Sequence, residues 1–190
     1  MNNLSRRRRH PVAGLLVLLL GLVLAGSLYS AFRPAAAADS TSDTELIANG
    51  RKLFVVGCAS CHGLNGEGIV TKSGTNYGPQ LVGVGAASVD FQVGTGRMPL
   101  ARPGRQALPK EPSYTDEEIA ELAAFVASLG PGPAIPSEQD IDISDADIVN
   151  GGEFFKTNCT ACHNFAAAGG ALPKGGYAPG LLNTSSRHII

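Results

Sequence analysis

Cys58-Ala59-Ser60-Cys61-His62 and Cys159-Thr160-Ala161-Cys162-His163 are the two stretches on which the fold turns. They contain all four cysteines of the 190-residue chain. The pentapeptides lie 101 residues apart, and their upstream flanks repeat at the same offset: Ile47, Asn49, Gly50 and Phe54 correspond to Ile148, Asn150, Gly151 and Phe155. Downstream, Tyr77, Pro79 and Leu81 correspond to Tyr177, Pro179 and Leu181 at an offset of 100. A period near 100 residues is the size of a domain, so the pattern predicts tandem domains rather than a solenoid.

The seam is Gly130-Pro131-Gly132-Pro133-Ala134-Ile135-Pro136, where prolines remove backbone donors and fix φ. This gives a first domain over 44–130, a Pro-rich and acidic linker over 131–143, and a second domain over 144–190. Helices are expected over Thr44 to Val56 and Asp145 to Thr157. Thr115-Asp116-Glu117-Glu118 reads as a capping box. Behind it, Ile119, Leu122, Ala123 and Val126 follow the i, i+3, i+4, i+7 pattern of a core-facing helix, with Gly130 as its stop. Residues 63–114 are rich in Gly and Pro and show little periodicity. Side chains alone would pack such a stretch poorly, which suggests that a large prosthetic group forms part of the core.

The pentapeptides supply a reason for such a group. Two Cys three apart on one helical turn can each add to a vinyl group of haem, and the His that follows sits beneath the iron, so C-x-x-C-H reads as covalent haem attachment. A zinc site needs a second donor pair within the same domain. A redox dithiol needs a βαβ context and no His. Disulfides would leave the repeated His unexplained. The sequence therefore predicts two haem c groups bound through Cys58, Cys61, Cys159 and Cys162, with His62 and His163 as iron ligands.

The net charge of −1 hides an asymmetry. Residues 1–38 hold five Arg and no acid, whereas the remainder carries ten bases against sixteen acids. A nucleic-acid binder relying on a basic face is thereby disfavoured. Arg6 to Arg9 precede the uncharged stretch 12–32, and residues 1–38 read as a signal or anchor segment. A helix of that length spans about 31 Å, close to a bilayer's hydrocarbon thickness. The basic cluster places its own end in the cytoplasm and the rest outside. Ala35 to Ala38 would suit a signal peptidase, so both a retained anchor and a cleaved signal peptide stay open.

From residue 44 onward both copies resemble class I c-type cytochromes. Gly50 and Phe54 match that family's contact between N- and C-terminal helices, and Gly78-Pro79 matches the proline whose carbonyl orients the proximal His. The resemblance implies an all-α fold. It also implies Met98, in Gly96-Arg97-Met98-Pro99, as the distal ligand of the first haem. The second copy has no Met, and nothing after His188 resembles residues 115–129. The second domain is therefore expected to be incomplete, with His188 as an alternative distal ligand.

A closer resemblance is to the dihaem cytochrome c subunits of actinobacterial menaquinol:cytochrome c reductases, the cytochrome bcc complexes. The tandem motifs and the N-terminal apolar segment carry it. So do the stretches from Ala134-Ile135-Pro136-Ser137-Glu138 to Gly151-Gly152-Glu153 and from Cys162-His163-Asn164-Phe165 to Gly169-Gly170-Ala171-Leu172. It implies a membrane-bound subunit whose haem domains face outside the cytoplasm. Cytochrome b and a Rieske iron–sulfur protein would be its complex partners, and a terminal oxidase its acceptor. Within that quinol:cytochrome c oxidoreductase (a translocase) the chain would carry electrons without catalytic residues of its own. The acidic tract from Glu138 to Glu153 reads as a solvated linker or a docking face. A free exported dihaem carrier and a dihaem peroxidase are the alternatives.

Overall fold

The N-terminal apolar stretch, which has neither a charge nor a proline after its first residue to interrupt it, forms helix α1 (Pro11–Ala31). The computed structural model describes the backbone of residues 11–31, 40–102, 104 and 106–189, and the chain divides into two units between Ser40 and Thr41. Side chains of α1 are described for residues 12–27, and its leucines from Leu15 to Leu24 are all exposed. Among the described residues no helix is long and apolar enough to cross a membrane. The arginines at 6–9, Phe32 and Ala35 to Ala38 lie outside the described residues.

The second unit is built on helices. α2 (Ser40–Gly57) begins earlier than its apolar pattern and runs almost into the first pentapeptide, which forms the one-turn helix α3 (Ala59–His62). A small antiparallel hairpin follows, β1 (Ile69–Val70) with β2 (Asn76–Gly78), pairing Ile69 with Gly78 and Val70 with Asn76. Helix α4 (Gly85–Gly94) comes next, then α5 (Asp116–Ser128). α5 starts at the expected capping box: the Glu118 amide donates to Thr115 Oγ1 at 3.3 Å, and the Thr115 amide donates to Glu118 Oε2 at 2.9 Å. Three acids in its first turn also complement the helix dipole.

Two amphipathic faces close the core. α5 buries Ile119, Leu122, Ala123, Phe125 and Val126, the stripe that the sequence marks. α2 delivers Phe54, 1% exposed, whose ring meets Phe125 at 5.0 Å between centroids. The two helices can approach this closely because position 50 is glycine. A Cβ there would lie 1.9 Å from the Glu121 carbonyl oxygen and 3.0 Å from Phe125 Cβ. α4 adds Val89 and Val93, four residues apart and so on one face, against α5.

Around the second pentapeptide the same local elements recur. α6 (Ile148–Asn158) starts three residues later than expected because Asp147 is its cap, accepting from the Asn150 amide at 3.0 Å. Then come the one-turn α7 (Thr160–His163) and the hairpin of β3 (Gly170–Leu172) with β4 (Gly176–Ala178). α6 buries no residue: Ile148, Val149 and Phe154 are exposed, and a Cβ on Gly151 would meet nothing within 4 Å. The stretch 131–143 is neither helix nor strand, as its prolines require. It packs rather than dangles: the Ala87 amide donates to the Pro133 carbonyl at 3.2 Å, and Ser137 and Asp140 close a local turn.

The contrast between Gly50 and Gly151 is measurable. Gly50→Ala forces the α2–α5 contact apart and should destabilise the protein by about 1–3 kcal/mol. Gly151→Ala, in an open helix interior, should stabilise by about 0.5–1 kcal/mol. Denaturant unfolding of the two variants against the parent reads both signs.

Candidate functional site

The first pentapeptide is held as a single turn by the end of α2. The Cys58 amide donates to the Phe54 carbonyl at 2.8 Å, and the amides of Cys61 and His62 donate back to the Cys58 carbonyl at 3.1 and 3.0 Å. One turn thus carries both thiols and the imidazole. Burial, with Cys61 alongside, pushes the Cys58 thiol up to about 11. The four cysteines form no disulfide with one another.

The hairpin then turns the chain back under the imidazole. β2 passes so close to α3 that a Cβ on Gly78 would lie 1.9 Å from the Cys61 carbonyl oxygen. The next residue places its carbonyl 2.8 Å from His62 Nδ1. Since Pro79 O can only accept, Nδ1 must carry the proton. In the neutral ring the lone pair is then on Nε2, the nitrogen that can bind a metal, and the bond fixes the ring's orientation. The Leu81 amide, bonded to the Gly66 carbonyl at 2.7 Å, holds the hairpin's exit.

Beside the imidazole lies a cavity of about 310 Å³, lined by Cys58, His62, Leu81, Val89, Val93 and Met98. A second of about 300 Å³ adjoins it, sharing Cys58, His62, Pro79 and Met98 and adding Cys61 and Tyr77. Met98 arrives there because the chain folds back after α4: the Met98 amide donates to the Gln92 carbonyl at 2.8 Å. The expected residues Cys58, Cys61, His62 and Met98 are thus brought together around one space. A covalently attached haem fits this donor set: two thiols on one turn, an oriented imidazole, a thioether and mostly apolar walls. Among the described residues, the one buried side-chain polar atom without a protein partner, Gln92 Oε1, belongs to a residue of this same wall.

The second pentapeptide repeats the backbone arrangement, although of its residues only His163 borders the cavity beside it. The Cys159 amide donates to Phe155 O at 2.9 Å, and His163 Nδ1 lies 2.7 Å from the Pro179 carbonyl. The Leu181 amide donates to Ala167 O at 2.8 Å. His163, Tyr177, Pro179 and Leu181 line a cavity of about 700 Å³. His188 borders it too, with Nε2 3.1 Å from Asp90 Oδ2 and its ring edge-on to Phe91 at 5.3 Å. Arg187 binds both oxygens of Asp90, at 2.7 and 2.8 Å.

Sequence reasoning missed α4, and with it Val89, Gln92 and Val93 on the cavity wall. The helix has no side-chain cap, is bounded by glycines and spans ten residues, so its one available signal was the four-residue spacing of Val89 and Val93.

Comparison with known proteins agrees with this geometry. The cytochrome c family matches residues 47–130. The cytochrome bc1 complex cytochrome c subunit of Mycobacterium tuberculosis is 39% identical over 193 residues, covering 97% of this chain and 67% of its own length. The subunit of the same name from Corynebacterium efficiens is 41% identical over 200 residues, covering 97% and 66%. The Cbb3-type cytochrome c oxidase subunit FixP of a Bradyrhizobium species is 29% identical over 153 residues, covering 76% and 50%. The chain thus spans about two thirds of the length of its bc1-complex relatives. Its first pentapeptide lies inside the matched cytochrome c region, and covalently bound haem c is that family's cofactor. The chain belongs to the family of cytochrome bc1 complex cytochrome c subunits.

Proposed function

We propose that this chain is the dihaem cytochrome c subunit of a respiratory menaquinol:cytochrome c reductase, relaying electrons from a Rieske iron–sulfur protein to a terminal oxidase. The observation that carries this reading is the duplicated bond from imidazole Nδ1 to a proline carbonyl, at 2.8 Å for His62 and 2.7 Å for His163. Each follows a C-x-x-C pair, so each copy holds a prepared proximal ligand beside two thiols. We read 44–130 and 144–190 as tandem cytochrome c domains on this basis.

Bound haem supplies one-electron chemistry at its iron. The residues do the rest. Cys58 and Cys61, and in the second copy Cys159 and Cys162, would fasten the group by adding their thiols across its vinyl groups. His62 and His163 would supply Nε2 as iron ligands. Met98 would supply a thioether at the first site, and a His/Met ligand pair raises the potential. Leu81, Val89, Val93 and Leu122 exclude water from the first site.

In this reading the N-terminal segment holds the subunit in the membrane, with the haem domains outside the cytoplasm. What supports it is the sequence alone: the arginines at 6–9 followed by the uncharged stretch 12–32. The complex's cytochrome b and Rieske proteins are the partners proposed, by likeness to relatives that are named as bc1 complex subunits.

The full chain, purified from a host that attaches haem c, should yield two haems per chain by the pyridine haemochrome assay. The Cys159→Ala/Cys162→Ala variant should yield one, and an unchanged count would refute the second site. Met98→Ala should lose the far-red sulfur-to-iron charge-transfer band of one haem and lower that haem's potential; an intact band would remove Met98 from the ligand set. Gly78→Ala should push β2 off the Cys61 carbonyl, at a cost of about 1–3 kcal/mol in stability. It should also reduce haem incorporation at the first site alone, as seen by haem staining in the one-haem variant.

A further inference from the structure

Helix α4 has two working faces. Ser88, Val89, Gln92 and Val93 line the cavity beside His62, whereas Phe91 and Thr95, at its end and on another side, line the cavity that holds His163. The turn after the helix divides in the same way: Met98 borders the first cavity and its neighbour Arg97 the second. The strap of residues 106–109 completes this arrangement, since all four border the second cavity although they precede α5 in the first copy. Contacts between the copies fix the strap in place. Gln106 bonds both backbone groups of Tyr177, accepting from its amide at 3.2 Å and donating to its carbonyl. Across the same seam Arg187 grips Asp90, a residue of α4 that is mostly buried.

We propose that the second haem occupies a composite pocket, with Phe91, Arg97 and the strap from Gln106 to Pro109 of the first copy forming the wall that faces His163. α4 is then the partition shared by both haems, and their sites are separated by about one helix diameter, on the order of 10 Å. Arg97 contributes more than bulk. Its guanidinium lies over the Phe91 ring at 4.7 Å, which holds a fixed cation at the edge of the second site. A haem carries two carboxylates and gains a positive charge on oxidation. A cation in this wall therefore attracts the carboxylates and favours the reduced state.

This inference rests on the reading that each pentapeptide holds a haem, and charge at one wall position tests it separately. Leu108 lines the second cavity and neither of those beside His62, and it is 67% exposed, so a charge there is tolerated. In the full haem-loaded chain, the two midpoints are resolved by spectroelectrochemical titration. They are assigned with Cys159→Ala/Cys162→Ala, which keeps only the first haem, or with Met98→Ala, which lowers the first. Leu108→Lys should raise the second haem's midpoint and Leu108→Glu should lower it, with the first haem's midpoint moving less. Arg97→Gln should lower the second midpoint, and Arg97→Lys should retain it. Equal shifts of the same sign from both Leu108 variants, or no shift in the second haem, would overturn the composite wall. A parent chain with a single haem would instead overturn the dihaem reading beneath it.

Discussion

The bond from His62 Nδ1 to the Pro79 carbonyl, 2.8 Å long, is the constraint around which the first site is organised. It requires the pentapeptide to be a single helical turn, so that the imidazole projects from a known place. It also requires the hairpin to return beneath that turn, which only a glycine at 78 allows. Because the acceptor is a carbonyl, the bond selects the tautomer, and with it the nitrogen left for a metal. Fold and ligand chemistry are set by the same few atoms. Its counterpart from His163 to the Pro179 carbonyl, 2.7 Å long, repeats the contact beside the second pentapeptide.

The cores diverge sharply. In the first copy Gly50 and Phe54 of α2 meet Phe125 of α5, and α4 closes the remaining side. In the second, Gly151 meets nothing within 4 Å and α6 buries no residue. The local hydrogen bonds around the pentapeptide are nevertheless alike in both. The turn, the hairpin and the proline carbonyl form a self-contained motif, in which short-range backbone bonds do the positioning. Helix packing then adds stability and walls. The two copies also touch one another, through Gln106 at Tyr177 and Asp90 at Arg187.

Much of this was legible in the residues. Each pentapeptide has its proline at nearly the same distance, 17 residues after His62 and 16 after His163, because attaching haem and orienting the imidazole tolerate little variation in chain length. The capping box of α5 and its apolar stripe were equally plain, since caps and period are local properties. α4 was not legible. It lies in a Gly- and Pro-rich stretch, begins without a side-chain cap and is helical largely because Val89 and Val93 find α5 to pack against. Its stability comes from tertiary contact, and propensity carries little trace of it.

By itself the sequence marked the candidates for the sites: the thiols and imidazoles through reactivity and spacing, and the thioether of Met98 through family resemblance. Only the tertiary structure decided what surrounds them. It turned Met98 toward the cavity of His62 and set Arg97 on the other side of the same turn. It brought the 106–109 strap to the cavity of His163 and joined Asp90 to Arg187 across 97 residues. Those neighbours are distant in the chain and share no motif, so their meeting depends on the packing of whole helices, which no local pattern records.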